Sequence, residues 1–151
     1  MTSCIALFAL PLAFMSGCGG RSASPLDAQE AAVAFLLNLT ARPQPACVLI
    51  AVGPGDLEQG LVAKNLKDPP AEFLRGLSTR GLDVHPSSTC SAQGGTPTEL
   101  RVGWPSSTPE GYEVPVDLLC GPLGCDRGYR VQVNRTDSGL RGVGARVTWV
   151  S

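Results

Sequence analysis

The last third of the chain alternates apolar and polar residues, and this pattern constrains the fold more than any other feature of the sequence. Because successive side chains of a β-strand point to opposite faces of a sheet, alternation at a period of two predicts strands with one buried face. Four segments show it, with apolar positions at Leu100, Val102, Trp104; Tyr112, Val114, Val116, Leu118; Tyr129, Val131, Val133; and Val143, Ala145, Val147, Trp149. The connecting segments PSSTPEG, CGPLGCDRG and RTDSG are short and rich in turn residues, so we expect antiparallel hairpins.

A helix and a further strand are predicted ahead of these four strands. Ser24 is placed to cap a helix that begins at Pro25, and Asp27 is positioned to accept the backbone amide of the cap residue. We expect this helix to run to about Thr40. The apolar run ACVLIAV, residues 46–52, then predicts a buried strand.

The remaining segments complete an α+β fold. A second, shorter helix is predicted over residues 68–80, with Gly81 as its left-handed stop, and a loop over residues 82–95. Pro115 interrupts the second of the four strands, and since proline has no backbone N–H, we expect that strand to lie at an edge or to carry a bulge. The expected architecture is an N-terminal helix lying across an antiparallel meander, of cystatin-like or nuclear-transport-factor-like type.

Four cysteines lie beyond the N-terminal segment, at Cys47, Cys90, Cys120 and Cys125. An even number of cysteines is typical of two disulfides in an oxidising compartment, and three pairings are possible. Cys120 and Cys125 bracket the GPLG of a predicted hairpin, which favours their pairing and leaves Cys47 with Cys90. Since there is no CxxC spacing and a single histidine, we expect no metal centre, no redox site and no cofactor.

The N-terminal segment has the pattern of an export signal. The first 17 residues carry no charged side chain, and the 12 residues from Cys4 to Met15 are an apolar run. Such a run is too short to span a bilayer but has the length of a signal-peptide core, and the small residues Ser16 and Gly17 follow it. The segment departs from the usual pattern in having no Lys or Arg before the apolar run.

The four residues Met15-Ser16-Gly17-Cys18 resemble the lipobox of bacterial lipoproteins. The resemblance implies that Cys18 is alkylated with a diacylglyceryl group, that residues 1–17 are removed, and that the new N-terminus is acylated. Residues 18–24 are then a flexible tether for a single domain over residues 25–151. Gly19 stands where an Asp would retain an enteric lipoprotein at the inner membrane, so the resemblance favours the outer membrane. The alternative is an ordinary secretory signal, with Cys18 an incidental thiol.

Several classes of function have little support in the sequence. The 12 basic and 13 acidic residues nearly cancel and are scattered, so we expect no nucleic-acid partner. His85, the single histidine, lies near Ser87 and Ser88, but no GxSxG motif presents a nucleophile, so we expect no enzyme.

The exported domain as a whole resembles small exported bacterial proteins of no assigned function, on Cys47 and the segments DPPAEFLRGL and VHPSSTC. The sequence therefore favours an envelope-anchored binding or interaction module, with the membrane and an envelope protein as its partners. The alternatives are a ligand pocket between helix and sheet, lined by the strand aromatics Trp104, Tyr112, Tyr129 and Trp149, and a hydrolase site within residues 82–95.

Overall fold

A mixed seven-stranded sheet forms the centre of the protein in a computed structural model that describes residues 22–40, 45–54, 65–90, 98–121 and 125–151. The strand order is β2-β1-β3-β5-β6-β7, with β4 paired to β5. The export signal and Cys18 lie outside the described residues. The elements are α1 (Pro25–Thr40), β1 (Ala46–Ile50), α2 (Ala71–Ser78), β2 (Val84–Pro86), α3 (Ser87–Cys90), β3 (Thr98–Val102), β4 (Ser106–Ser107), β5 (Gly111–Leu119), β6 (Arg127–Thr136) and β7 (Gly139–Val150).

The expectation of a purely antiparallel sheet is wrong at one end. Strand β1 pairs in parallel with both β2 and β3, whereas β3, β5, β6 and β7 form the predicted antiparallel series. The parallel pair arises because α2 lies between β1 and β2 in the chain, and a crossover of this kind returns the chain in the same direction. Strand β2 and α3 occupy part of the segment predicted as a loop.

Local signals placed both longer helices correctly. The backbone N–H of Ser24 donates to Oδ2 of Asp27 at 2.8 Å, and the N–H of Asp27 donates to Oγ of Ser24 at 3.2 Å, which is the predicted reciprocal cap of α1. Helix α2 is shorter than predicted, but its Phe73 and Leu77 are fully buried beside α1. The helix ends at Ser78, and the chain turns away at Gly81, whose φ of 76° is the left-handed conformation that glycine adopts without strain.

Strand β5 lies inside the sheet, so the edge-strand alternative for Pro115 is wrong, and β5 pairs with β6 past Pro115 without the register shift of a bulge. The N–H of Gly103 donates to the carbonyl of Pro115 at 2.8 Å, but proline has no N–H to return the bond. The carbonyl of Gly103 accepts instead from Nε2 of Gln29, on α1, at 3.0 Å. The same amide nitrogen donates to the carbonyl of Ala51 at 3.0 Å, and Gln29 is only 1% exposed. A buried side chain of the helix thus replaces the ladder bond that proline cannot make.

Replacing Gln29 with leucine tests this arrangement. The change keeps the side-chain volume but leaves two buried carbonyls without donors, so we expect the free energy of unfolding to fall by about 2–4 kcal/mol. Pro115→Val supplies an N–H for the Gly103 carbonyl and should therefore recover part of the loss in the Gln29→Leu background. Denaturant titration of the two single variants and the double variant measures the coupling, and a fully stable Gln29→Leu protein would contradict the assignment.

Both disulfides form as predicted. Cys47 pairs with Cys90 at a Cα–Cα distance of 6.1 Å, and Cys120 pairs with Cys125 at 5.5 Å. The first bond ties α3 to β1, and the second joins the end of β5 to the residues just before β6. The two bonds differ mainly in the length of chain that they enclose, since their sequence separations are 43 and 5 residues.

Removal of the two disulfides should have unequal costs. A crosslink that closes a longer ring restricts the unfolded chain more, so replacing Cys47 and Cys90 with alanine should lower the free energy of unfolding by roughly 4 kcal/mol. The Cys120/Cys125 double alanine variant should lose roughly 2 kcal/mol, because its ring is short. Denaturant titration of both variants makes the comparison, and equal losses would contradict the ring-size argument.

Candidate binding face

The sheet has two faces of different character. The apolar residues of β3, β5 and β6, among them Val102, Val114 and Val131, point toward α1 and are completely buried. We call the face that points away from α1 the second face. Strand pairing aligns five residues across it in one row, which we call the cross-sheet row: Leu49, Arg101, Asp117, Gly128 and Trp149.

Trp149 belongs to the second face because β7 carries bulges. The sequence predicted Val143, Ala145, Val147 and Trp149 on one buried face, but the β6–β7 pairing shifts register twice. Thr148 is the extra residue between Val147, which opposes Tyr129, and Trp149, which opposes Gly128. One extra residue reverses the alternation beyond it, so the prediction is wrong for Trp149. Val147 keeps the predicted phase but is 50% exposed, so the expectation of burial is wrong for it too. Val143 is the extra residue of the other bulge and is 48% exposed.

The indole of Trp149 lies over Gly128 and reaches Asp117, two strands away. A Cβ added at Gly128 would collide with Nε1 and Cδ1 of the indole, so the absent side chain leaves the space that the ring occupies. Nε1 donates a hydrogen bond to Oδ1 of Asp117 at 3.1 Å. The indole therefore extends from β7 across β6 to β5, and Trp149 stays partly exposed.

Asp117 is 6% exposed although its strand position points away from the apolar core. Burial raises the pKa of this carboxyl above its ordinary value of 3.8. The hydrogen bond from Trp149 and the charges of Arg101 and Arg130 oppose that shift. The site therefore holds a carboxyl group between two guanidinium groups and an indole, in surroundings with little water.

A second group of polar side chains continues the second face toward β1. Nε of Arg101 lies 2.7 Å from Oε1 of Glu99, and Oγ of Ser87 donates to Oε2 of the same carboxylate at 2.9 Å. On the far side of the row, Arg146 and Glu113 form a longer, exposed ion pair at 3.6 Å. Acidic and basic groups thus alternate across the face, which carries no large field of either sign.

His85 contacts a carboxylate, but the structure does not bring a serine to it. Its Nε2 lies 2.8 Å from Oδ1 of Asp83. Ser87 donates to Glu99, and the backbone N–H of Ser88 donates to Asp68 at 3.2 Å. Among the residues that the structure describes, the predicted histidine and serines therefore do not assemble a nucleophile and base.

A cleft of about 770 Å³ lies between the start of α1 and the β6–β7 turn. Ala23, Glu30, Arg80, Arg135 and Asp137 are among its lining residues. Arg80 forms a 3.0 Å ion pair with Glu30, and Arg135 lies over the ring of Tyr112. The ligand-pocket alternative expected strand aromatics in the lining, and none of the four predicted aromatic residues lines this cleft.

Other kinds of site are absent from the described part of the chain. Residues 22–40, 45–54, 65–90, 98–121 and 125–151 contain no group of three or more side chains suited to hold a metal ion. Within the same ranges no helix combines the length and apolarity needed to cross a membrane. Comparison with family models, with curated proteins and with solved structures finds no match.

Sequence reasoning missed Asp117, Gly128 and the two arginines beside them. The alternating pattern correctly places Asp117 on the outward phase of β5, and a residue there is normally a solvated polar group. The burial of Asp117 depends on the indole of Trp149, which a bulge in β7 places on the second face. The available signal was the series of glycines in β6 and β7, because a strand glycine often marks a bulge or a close approach.

The raised pKa of Asp117 makes stability depend on pH in a defined direction. Between 3.8 and the higher folded-state pKa, the folded protein holds a proton that the unfolded chain has released. The free energy of unfolding should therefore decrease as pH rises through this window. Asp117→Asn should make that decrease smaller, as measured by denaturant titration at a series of pH values.

Glu30 is a second carboxyl group that contributes to the pH dependence of stability, so a Glu30→Gln variant is measured beside Asp117→Asn. Burial raises the pKa of its carboxyl above 4.5, against the opposing charge of Arg80. Glu30→Gln should reduce the same pH dependence independently, since the two residues lie on different elements. A wild-type pH profile in the Asp117→Asn protein would show that burial does not disfavour the ionised carboxylate.

Proposed function

We propose that this protein is a lipid-anchored bacterial envelope protein whose exported domain is a non-catalytic binding module. The anchor is the lipidated Cys18 of the lipobox-like segment Met15-Ser16-Gly17-Cys18. Residues 18–24 tether the domain, and the absence of Asp at position 19 favours the outer membrane with the domain in the periplasm. The two disulfides support export, because such bonds persist in oxidising compartments.

The cross-sheet row is the observation that carries the binding function. An arginine, a buried carboxyl group, a glycine and a tryptophan occupy successive positions of the row, on a face that α1 does not cover. If this face had only a structural role, we would expect either apolar residues covered by a second layer of the fold or short polar side chains in contact with solvent. Partly exposed aromatic and arginine side chains held in fixed positions are instead typical of the residues that dominate binding interfaces.

A non-catalytic role agrees with the placement of the candidate catalytic groups. The contact of His85 with Asp83 joins two partly exposed side chains, 38% and 61% exposed, on an edge strand and the residue before it. Such exposure gives little of the desolvation that active sites use to tune a general base. The proposed role is therefore recognition of a partner by the second face.

Photo-crosslinking at matched positions tests the use of the second face. A benzophenone-bearing residue at Arg146, exposed on the second face, should give specific adducts in intact cells. The same residue at Asn38, exposed on α1, is the control and should give none. Mass spectrometry identifies the adduct. Adducts from position 38 alone, or from neither position, would contradict a protein partner at the second face.

Substitution at Cys18 tests the anchor. Cys18→Ser removes the thiol that accepts the lipid, so the protein should accumulate with an uncleaved signal and leave the membrane fraction after an alkaline wash. Cys4→Ser, within the apolar run, is the matched control and should fractionate like wild type. A Cys18→Ser protein that stays with membranes after the wash would contradict lipid anchoring.

A further inference from the structure

The indole of Trp149 forms a fixed platform on the second face. The Nε1–Cδ1 edge of the ring lies against Gly128, and its N–H is held by Asp117 at 3.1 Å. The ring therefore has little rotational freedom to lose when a ligand stacks on its outward side. An aromatic ring that is already immobilised binds a partner at a lower entropic cost than a mobile one.

Hydrogen-bonding groups of both kinds surround this platform. Oδ1 of Asp117 is occupied by the indole, whereas Oδ2 accepts no hydrogen bond from the described residues and is not sealed from solvent. Arg101 is the cross-strand neighbour of Asp117, and Arg130 is near enough for its charge to act on the same carboxyl group. A ligand on the indole therefore meets an acceptor and nearby cationic donors.

This combination selects among ligand classes. A carboxylate at the platform repels an anionic ligand, and the two arginines repel a cationic one. A planar aromatic ligand would stack on the ring but offers few groups for the adjacent acceptor and donors. A sugar ring has an apolar C–H side for the indole, and its hydroxyl groups both donate to a carboxylate and accept from a guanidinium.

We propose that the second face binds a neutral saccharide, with one sugar ring stacked on Trp149 and its hydroxyl groups bonded to Asp117 and Arg101. The inference rests on the proposed function, because it names the ligand class of the same face. Asp117 has two tasks in this arrangement: Oδ1 fixes the indole, and Oδ2 receives a sugar hydroxyl. Gly128 is required because any side chain there would lift the platform from the sheet.

The chain has two tryptophans, which allows a direct test with a built-in reporter. In the full protein purified from membranes in detergent, Trp104→Phe leaves Trp149 as the sole tryptophan. Cellotriose, maltotriose and the trimer of N-acetylglucosamine are titrated in turn, with adenosine as the planar aromatic comparison. At least one trisaccharide should shift Trp149 emission saturably, with a Kd of about 1 mM or tighter, and calorimetry should give the same Kd.

Variants connect such binding to the platform. Gly128→Ala and Trp149→Ala should each weaken saccharide binding by about tenfold or more. Asp117→Asn keeps an oxygen for the indole but removes the charged acceptor, so it should weaken binding while leaving Trp149 emission unchanged without sugar. Arg141→Ala, exposed on β7 outside the cross-sheet row, is the control and should bind like wild type.

The possible failures are distinguishable from failure of the proposed function. Three results would overturn the saccharide inference: the protein binds adenosine alone, it binds no trisaccharide, or the Trp149→Ala variant binds sugar with wild-type affinity. Protein adducts from a crosslinker at position 146 would still support a binding module in those cases. If no adducts form but a saccharide still binds, only the protein partner is contradicted.

Discussion

The amide group of Gln29 is the interaction on which the arrangement of helix and sheet depends. It binds the carbonyls of Ala51, just after β1, and of Gly103, just after β3, where these two parallel neighbours end. Pro115 on β5 leaves one of these two carbonyls, that of Gly103, without a backbone donor, because proline has no N–H. A single side chain therefore ties α1 to the ends of two neighbouring strands, and an apolar residue of the same size could not.

The second face depends on a different constraint, the register of β7. Each bulge adds one residue to β7 without changing β6, so the alternation of faces reverses beyond Thr148. Trp149 therefore lies on the second face, beside Gly128, instead of on the α1 face that the alternation predicts. Gly128 and Asp117 are matched to it, one by having no side chain and the other by accepting the N–H. Three strands thus contribute one residue each to a site that no single segment contains.

Features decided by neighbouring residues were predictable, and the distant Cys47–Cys90 pairing followed once Cys120 and Cys125 were paired, whereas the parallel strand pairing and the bulges of β7 were not predicted. The cap of α1 and the Cys120–Cys125 bond arise within six residues or fewer of chain, and both were confirmed. Strand β2 has three residues, too few to show a period, and its parallel partner lies across α2. The role of Asp117 was invisible because it requires the bulge at Thr148, which alternation alone cannot reveal. The anchor at Cys18 stays a prediction from the sequence.

The course of β7 determines how far the candidate site stands from the start of the domain. Ala23, which accepts a hydrogen bond from the hydroxyl of Tyr112, lines the same cleft as the β6–β7 turn at Gly139. Trp149 lies near the opposite end of the strand, about 30 Å away at the rise of an extended chain. With a lipid on Cys18, as proposed, the anchor is attached at the Ala23 end of the domain. The length of β7 then separates the indole from the point of lipid attachment.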